Sequence, residues 1–310
     1  MARVAVTGGT GFVGANLVRR LLADGHEIHL LVRPDHHRWR LDDVAGDLHW
    51  REVDLVARAE LADLLHVMAP DQVFHLAAHG AYSWQTDEAA IFAANVVTTD
   101  NLVAACRRAG VASRVHTGSS SEYGAVDHAP TEDEALHPNS YYALTKAWAT
   151  LAVQHAGYTS LRLYSVYGPW EDPRRFVATL VEHGLEGRLP PLADPASARD
   201  FVHVDDVVDA LLAAAAQPPV ARGRVYNVGT GVQTSLQDAV TLACARFAIE
   251  AEPAWSTLPA RSWDTDVWVG DPRRIAAELG WRATTDFADG VARTVEWQRA
   301  QAAAGEAVQR

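Results

Sequence analysis

Residues 7–14 read TGGTGFVG, directly after the apolar run Arg3–Thr7 and directly before the amphipathic run Phe12–Ala23. Gly9, Gly11 and Gly14 satisfy G-x-G-x-x-G in a strand–turn–helix setting, and few folds accommodate that combination. The glycines permit a tight turn, close approach of backbone to a pyrophosphate, and intimate packing of the helix. The helix N-terminus then stabilises the phosphate charge. Gly8, Gly9, Gly11, Phe12, Val13 and Gly14 are the expected dinucleotide cradle.

The rest of the first half repeats the same alternation. Glu27–Val32, EVDL (52–55), DQVFHL (71–76), Arg114–Thr117 and Ser160–Tyr164 read as strands, with long helical patterns over 89–109 and 141–156 ended by Gly110 and Gly157. Near-continuous apolar strands alternating with helices predict an α/β fold, a Rossmann-type doubly wound parallel sheet covered on both faces. Beyond residue 166, Pro and Arg cluster, and helical runs at 175–187, 204–216 and 234–248 are joined by short connections. The expected division is an NAD(P)-binding Rossmann domain over 1–165 and a smaller C-terminal substrate-binding lobe over 166–310. The two are interleaved if VYNVG (225–229) rejoins the main sheet. A length of 310 residues suits one large core plus a lobe.

The formal net charge of −12 argues against a non-specific nucleic-acid binder, which needs a basic face. The N-terminal apolar run is too short for a signal peptide and no long uncharged apolar stretch stands out, so a cytoplasmic protein without a membrane partner is expected. Cys106 and Cys244 lie in apolar helix-like runs, with neither CxxC nor HExxH spacing, so no metal is expected.

NAD sites usually carry an acid at the end of the second strand to hold the ribose hydroxyls. Here that position is Arg33, with Asp35 two residues on and Arg38 and Arg40 further along the loop. An arginine there pairs with a 2′-phosphate, which favours NADP over NAD. Asp54, with Leu55, follows the next strand and is placed to contact adenine.

Two segments carry chemistry. HTGSSSEYG (116–124) holds a serine run, and NSYYALTK (139–146) places Tyr142 and Lys146 as Y-x-x-x-K. On a helix, i and i+4 share a face, so ammonium and phenol point the same way, and the charge is expected to lower the phenol pKa toward acid–base use.

TGGTGFVG, HLAA (75–78), NVVTTDNL (95–102), SSSEYG, YxxxK, RLYSVYGP (162–169), RDFVHVDD (199–206), YNVGTG (226–231) and LGW (279–281) together resemble the extended short-chain dehydrogenase/reductase family, in its nucleotide-sugar epimerase, dehydratase and 4-ketoreductase branch. The resemblance covers nearly the whole chain. It implies that Tyr142 is the acid/base, that Lys146 also holds the nicotinamide ribose, and that Ser119 or Ser120 is the catalytic serine. It adds Leu76, Ala77, Ala78 and Asn95 to the cofactor side, Asn95 by supporting the active-site helix. Arg199 and Arg261 match positions that grip the substrate diphosphate. His79, Tyr82, Ser83, Glu122 and Tyr167 are candidate sugar contacts, and Ser165 stands where the branch often has Asn.

The resemblance implies an oxidoreductase or isomerase acting at C4 of a nucleotide-activated sugar, a 4-ketoreductase or a 4-epimerase. A 4,6-dehydratase would need Glu122 as its extra acid, and a non-catalytic NADP-binding sensor would not need the intact Tyr and Lys. The helical runs 89–109 and 141–156 pair across a homodimer in this family.

Overall fold

The computed structural model describes residues 1–217, 223–258 and 267–303. Its backbone is a seven-stranded sheet built from β1 (Arg3–Thr7), β2 (Glu27–Val32), β3 (His49–Glu52), β4 (Gln72–His75), β5 (Ser113–Ser119), β6 (Thr159–Leu163) and, from the second half of the chain, β10 (Val225–Val228). The order is β10-β6-β5-β4-β1-β2-β3, and every pair is parallel. Strand order reverses beside β1, so the crevice at the carboxyl ends of β1 and β4 is where an open sheet of this kind takes a ligand.

Both faces of the sheet are covered. On one side α1 (Phe12–Ala23) and α7 (Val204–Ala215) bury Leu17, Val18, Leu21, Val207 and Leu211 against Val4, Val6 and Leu30. On the other, α2 (Arg58–Met68), α4 (Thr98–Ala109) and α5 (Tyr141–His155) pack Leu61, Leu65, Leu102 and Val153 on Ala5, Leu31 and Val73. The α7 helix and β10 both come from beyond residue 200, so the second half of the chain completes the central sheet and its cover.

The helical run expected over 89–109 is three pieces: α3 (Glu88–Phe92), a π turn over Ala93–Val97, and α4. A π turn widens the helix locally, a distortion found mostly at functional positions, and here it carries Asn95. The stretch Glu88–Ala109 is long and apolar enough to cross a bilayer, but it packs against α2 and α5 as a core element.

The remaining elements are β7 (Ser165–Tyr167), α6 (Phe176–Leu185), β8 (Ala198–Arg199), β9 (Phe201–His203), β11 (Thr234–Ser235), α8 (Leu236–Phe247), α9 (Arg273–Leu279), whose Ile275 joins the core under the sheet, and α10 (Phe287–Ala303). Tyr167, expected at the sugar, is instead 1% exposed in the lobe core, against Phe201, His203 and Phe287. Its hydroxyl donates to the carbonyls of Asp286 and Phe287, which holds the ring inward.

Gly290 of α10 lies so close to that hydroxyl that a Cβ there would sit 1.9 Å from it. Gly290→Ala is therefore expected to cost about 1–3 kcal/mol through overpacking. The measurement is the urea unfolding midpoint, and dinucleotide binding should be retained once the variant is folded.

Candidate active site

The glycine loop is a consequence of contact, not only of flexibility. Gly8 has φ +70°, and a Cβ on it would meet the backbone of Leu76 and Ala77 at 2.5 Å. A Cβ on Gly14 would lie 2.1 Å from the Gly8 carbonyl. The loop therefore folds back on itself and onto the end of β4, in the HLAA segment. The N-terminus of α1 has no side-chain cap and no acid in its first turn, which leaves its amides open to an anion. Phe12 and Val13 are half-buried at its edge. This is a cradle that fits a dinucleotide pyrophosphate.

The loop after β2 is less tightly built. Arg33 is exposed and pairs with Asp35 at 3.6 Å. Arg40 turns back toward the glycine loop, donating to the Trp170 carbonyl at 2.7 Å and to the Thr10 carbonyl at 3.5 Å. Asp54 is exposed and accepts from the Val56 amide, Leu55 is buried, and Asn101 fixes this turn by donating to the Leu55 and Val56 carbonyls.

Where β5 ends over α5, Ser119 stands beside the Tyr142 phenol, and Lys146 of the same helix reaches back under β5. The Ser119 hydroxyl lies near the Tyr142 phenol and hydrogen-bonds the Ser121 hydroxyl at 2.7 Å, whereas Ser120 is buried in the tight turn Ser120–Tyr123. The Lys146 ammonium donates to the Thr117 carbonyl at 2.6 Å and lies 3.3 Å from His116 Nε2. Burial pushes the Tyr142 phenol up to about 12, against the pull of its Ser119 hydrogen bond. The expected lowering by Lys146 is not among the influences on this phenol; burial dominates, and the phenol holds its proton at neutral pH. Burial also brings the Lys146 ammonium down to about 8, opposed by the Glu122 carboxylate.

Asn95 ties this corner together without facing the pocket. Its Oδ1 accepts from the His79 amide, and its Nδ2 donates to the His79 carbonyl and to Thr145 Oγ1. The loop after HLAA is thereby held to α5. Further along that loop Tyr82 stacks on Trp84 at 4.6 Å, and Ser83 is exposed.

Glu122 departs from expectation. It is fully buried, with Oε2 accepting from Arg162 Nε at 2.8 Å and Oε1 accepting from the Ser119 amide and Thr150 Oγ1, each at 2.8 Å. A carboxylate so engaged offers nothing to a sugar, so it leaves the set of substrate contacts and of dehydratase acids.

Arg199 donates to the Ala198 carbonyl and lies over Trp268. Its neighbour Asp200 is buried and accepts from the Thr230 amide and hydroxyl and from the Gly231 and Gly270 amides, which pins Arg199's strand to the loop after β10. Arg261 lies outside the described residues. Away from the site, Glu27, His29 and His49 bring three possible metal ligands within 4.8 Å of one another. Arg3 already donates to Glu27 and Arg51 to His29 Nδ1.

Sequence reasoning missed His116, Thr150, Ser160 and Arg162, the groups buried beneath the site. Each lies in a run that reads simply as strand or helix, and only the pairing of β5, β6 and α5 brings them together.

If the phenol moves the proton, Tyr142→Phe should lose about 10²–10⁴-fold in kcat and keep cofactor affinity. Tyr141→Phe, one residue away on the helix, is the control. Turnover and cofactor fluorescence titration of both variants test this, and equal losses in the two would remove Tyr142 from the chemistry.

Residues 4–229 match the family model described as the NAD dependent epimerase/dehydratase family. The chain is 36% identical over 331 residues to the UDP-glucose 4-epimerase of Mycolicibacterium smegmatis, covering 96% of this chain and 98% of that protein. It is 33% identical over 318 residues to a dTDP-glucose 4,6-dehydratase of Streptomyces griseus, covering 94% and 92%. The crystal structure of the Thermus thermophilus UDP-glucose 4-epimerase in complex with NAD superposes with a TM-score of 0.83 at 30% identity, covering 96% of this chain and 99% of that one.

Proposed function

This chain belongs to the NAD dependent epimerase/dehydratase family, and from that premise we propose that it is a 4-epimerase of a nucleotide-linked hexose working with NAD. The observation that carries the proposal is the withdrawal of Glu122 into its pair with Arg162, which leaves Ser119, Tyr142 and Lys146 as the acid–base set at the pocket. That set suffices for oxidation and reduction at one carbinol, whereas elimination across C5–C6 needs a further acid.

When bound, the dinucleotide supplies the hydride acceptor and donor. The protein's part is proton handling and orientation. With the cofactor bound, Tyr142 would act from its phenolate, taking the C4 hydroxyl proton during oxidation and returning it to the ketone during reduction. Ser119 hydrogen-bonds the same oxygen, and Lys146 holds positive charge beside the nicotinamide ribose. Arg199, with Arg261, grips the diphosphate through charge-assisted hydrogen bonds, each worth about 1.5–3 kcal/mol. His79 and Ser83 border the sugar.

NAD is preferred here over the NADP that Arg33 first suggested. Arg33 is already paired with Asp35, and the Thermus thermophilus relative was crystallised with NAD. The test is twofold. Nucleotide released by denaturing the purified protein should be NAD, and UDP-glucose should be converted to its C4 epimer without net NADH formation. Consumption of NAD(P)H with a 4-ketosugar and no epimer would make the enzyme a ketoreductase. Accumulation of a 4-keto-6-deoxy product would make it a dehydratase, and binding without turnover of any such sugar would make it a sensor.

The homodimer has its own support. Leu144, Trp148 and Leu151 follow one another at helical spacing on α5 and are exposed, as is Phe92 of α3. A second copy of this chain is the proposed cover. Trp148→Glu should convert a dimer to a monomer in light scattering at micromolar concentration, and a wild type that is already monomeric overturns the assignment.

A further inference from the structure

Beneath the Tyr142–Lys146 face runs a chain of polar contacts that the proton chemistry above does not use. Lys146 Nζ lies 3.3 Å from His116 Nε2, and His116 Nδ1 lies 2.9 Å from Ser160 Oγ. Ser160 Oγ is 3.3 Å from Thr150 Oγ1, which donates to Glu122 Oε1 at 2.8 Å. All five residues are buried. Gly118 makes room for the crossing, since a Cβ there would lie 2.7 Å from Glu122 Oε1 and 2.8 Å from Thr150 Oγ1.

Proton counting fixes the direction of every bond. Glu122 is paired with Arg162 and, as a carboxylate, only accepts. The single Thr150 proton therefore goes to Glu122, so Thr150 accepts from Ser160. Ser160, having spent its proton, accepts from His116 Nδ1–H. A neutral imidazole protonated at Nδ1 has a bare Nε2, and that lone pair faces the Lys146 ammonium.

The charged and titratable groups around the ring agree with a neutral His116. Lys146 faces it from α5, His75 from β4 with ring centroids 5.4 Å apart, and Arg162 and Glu122 close the chain from β6 and the turn after β5. On the far side lies a small cavity lined by Cys106, Arg114 and Tyr158, where Arg114 stacks on the Tyr158 ring. Burial and the neighbouring ammonium hold the imidazole well below its ordinary range.

We propose that His116 is a positioning residue that holds the Lys146 ammonium charged and in place by accepting its hydrogen bond, its tautomer being set through Ser160 and Thr150 by the buried Glu122–Arg162 pair. This rests on the reading of Lys146 as the charge beside the cofactor ribose. A hydrogen bond to the charged form favours that form, as does a carboxylate coupled to it. Without the chain, Lys146 keeps its bond to the Thr117 carbonyl but loses this second acceptor, so burial is less well opposed and the charge is lost at lower pH.

The signature is the alkaline limb, where function falls as Lys146 loses its proton. It is read in kcat for the NAD-loaded enzyme and, independently of any sugar, in the pH dependence of NADH affinity. His116→Phe removes the acceptor and should move both limbs to lower pH by about half a unit or more. Thr150→Val cuts the chain midway with little change of shape and should move them the same way. His116→Gln keeps one acceptor and one donor and should leave the limbs at their wild-type position. Limbs unmoved in both Phe and Val variants, or moved equally in Gln and Phe, overturn the proposal. If His116→Phe does not fold, the comparison of Thr150→Val with wild type decides. A wild type that binds NADH with an alkaline limb but converts no nucleotide sugar sinks the proposed reaction and leaves the His116 assignment standing.

Discussion

The buried ion pair between Glu122 and Arg162 is the contact on which the site depends. Two charges have been taken out of water, and they are tolerable because further hydrogen bonds engage both partners. Glu122 accepts from Ser119 and Thr150, and Arg162 also donates to the Tyr123 hydroxyl, which in turn donates to Asn227 of β10. The pair thus binds the serine turn, the Tyr–Lys helix and two neighbouring strands into one unit. Removing either partner would leave a buried charge alone, a loss of about 3–5 kcal/mol, and would release the turn that presents Ser119.

That arrangement explains which parts of the molecule the sequence disclosed. Arg3–Thr7, Phe12–Ala23 and Glu27–Val32 form the elements expected of them to the residue, because apolar period, glycine placement and turn chemistry are all local there. The glycine loop is legible for the same reason. Glu122 was misread because an acid next to a catalytic serine has the same local appearance whether it faces a pocket or a buried arginine forty residues away. Tyr167 was misread because β7 is too short to display which of its faces is inward. The two-residue strands β8 and β11 carry no periodic signal at all. Nor could the break in the helix at Asn95 be seen, since a π turn has no composition of its own.

The different settings of Ser119 and Ser120 come from geometry of the same long-range kind. β5 continues through Ser119, whose side chain meets Tyr142, and the chain then tightens into the turn closed by the Ser119 amide and Glu122. Shifting the register by one residue would turn Ser119 away from the phenol and unmake the Glu122 contact as well. The carboxylate that looked like a catalytic acid is what fixes Ser119 at the end of β5.

The proton affinities show why the protein needs a partner before it can act. Tyr142, pushed up to about 12, keeps its proton, so the protein by itself presents an acid and not a base. Lys146 cannot correct this alone, because the same burial brings its ammonium down to about 8 and leaves its charge only modestly secure near neutrality. Both shifts have one origin, the exclusion of water from the end of β5, and they oppose the chemistry of oxidation together. Positive charge added at the mouth of the pocket favours loss of the phenol proton. Support for the ammonium from below keeps the second positive charge in place while that happens. In the proposed reaction such a site would remove a proton only with an oxidised, cationic nicotinamide beside it, which would tie deprotonation of the sugar to the group that takes its hydride.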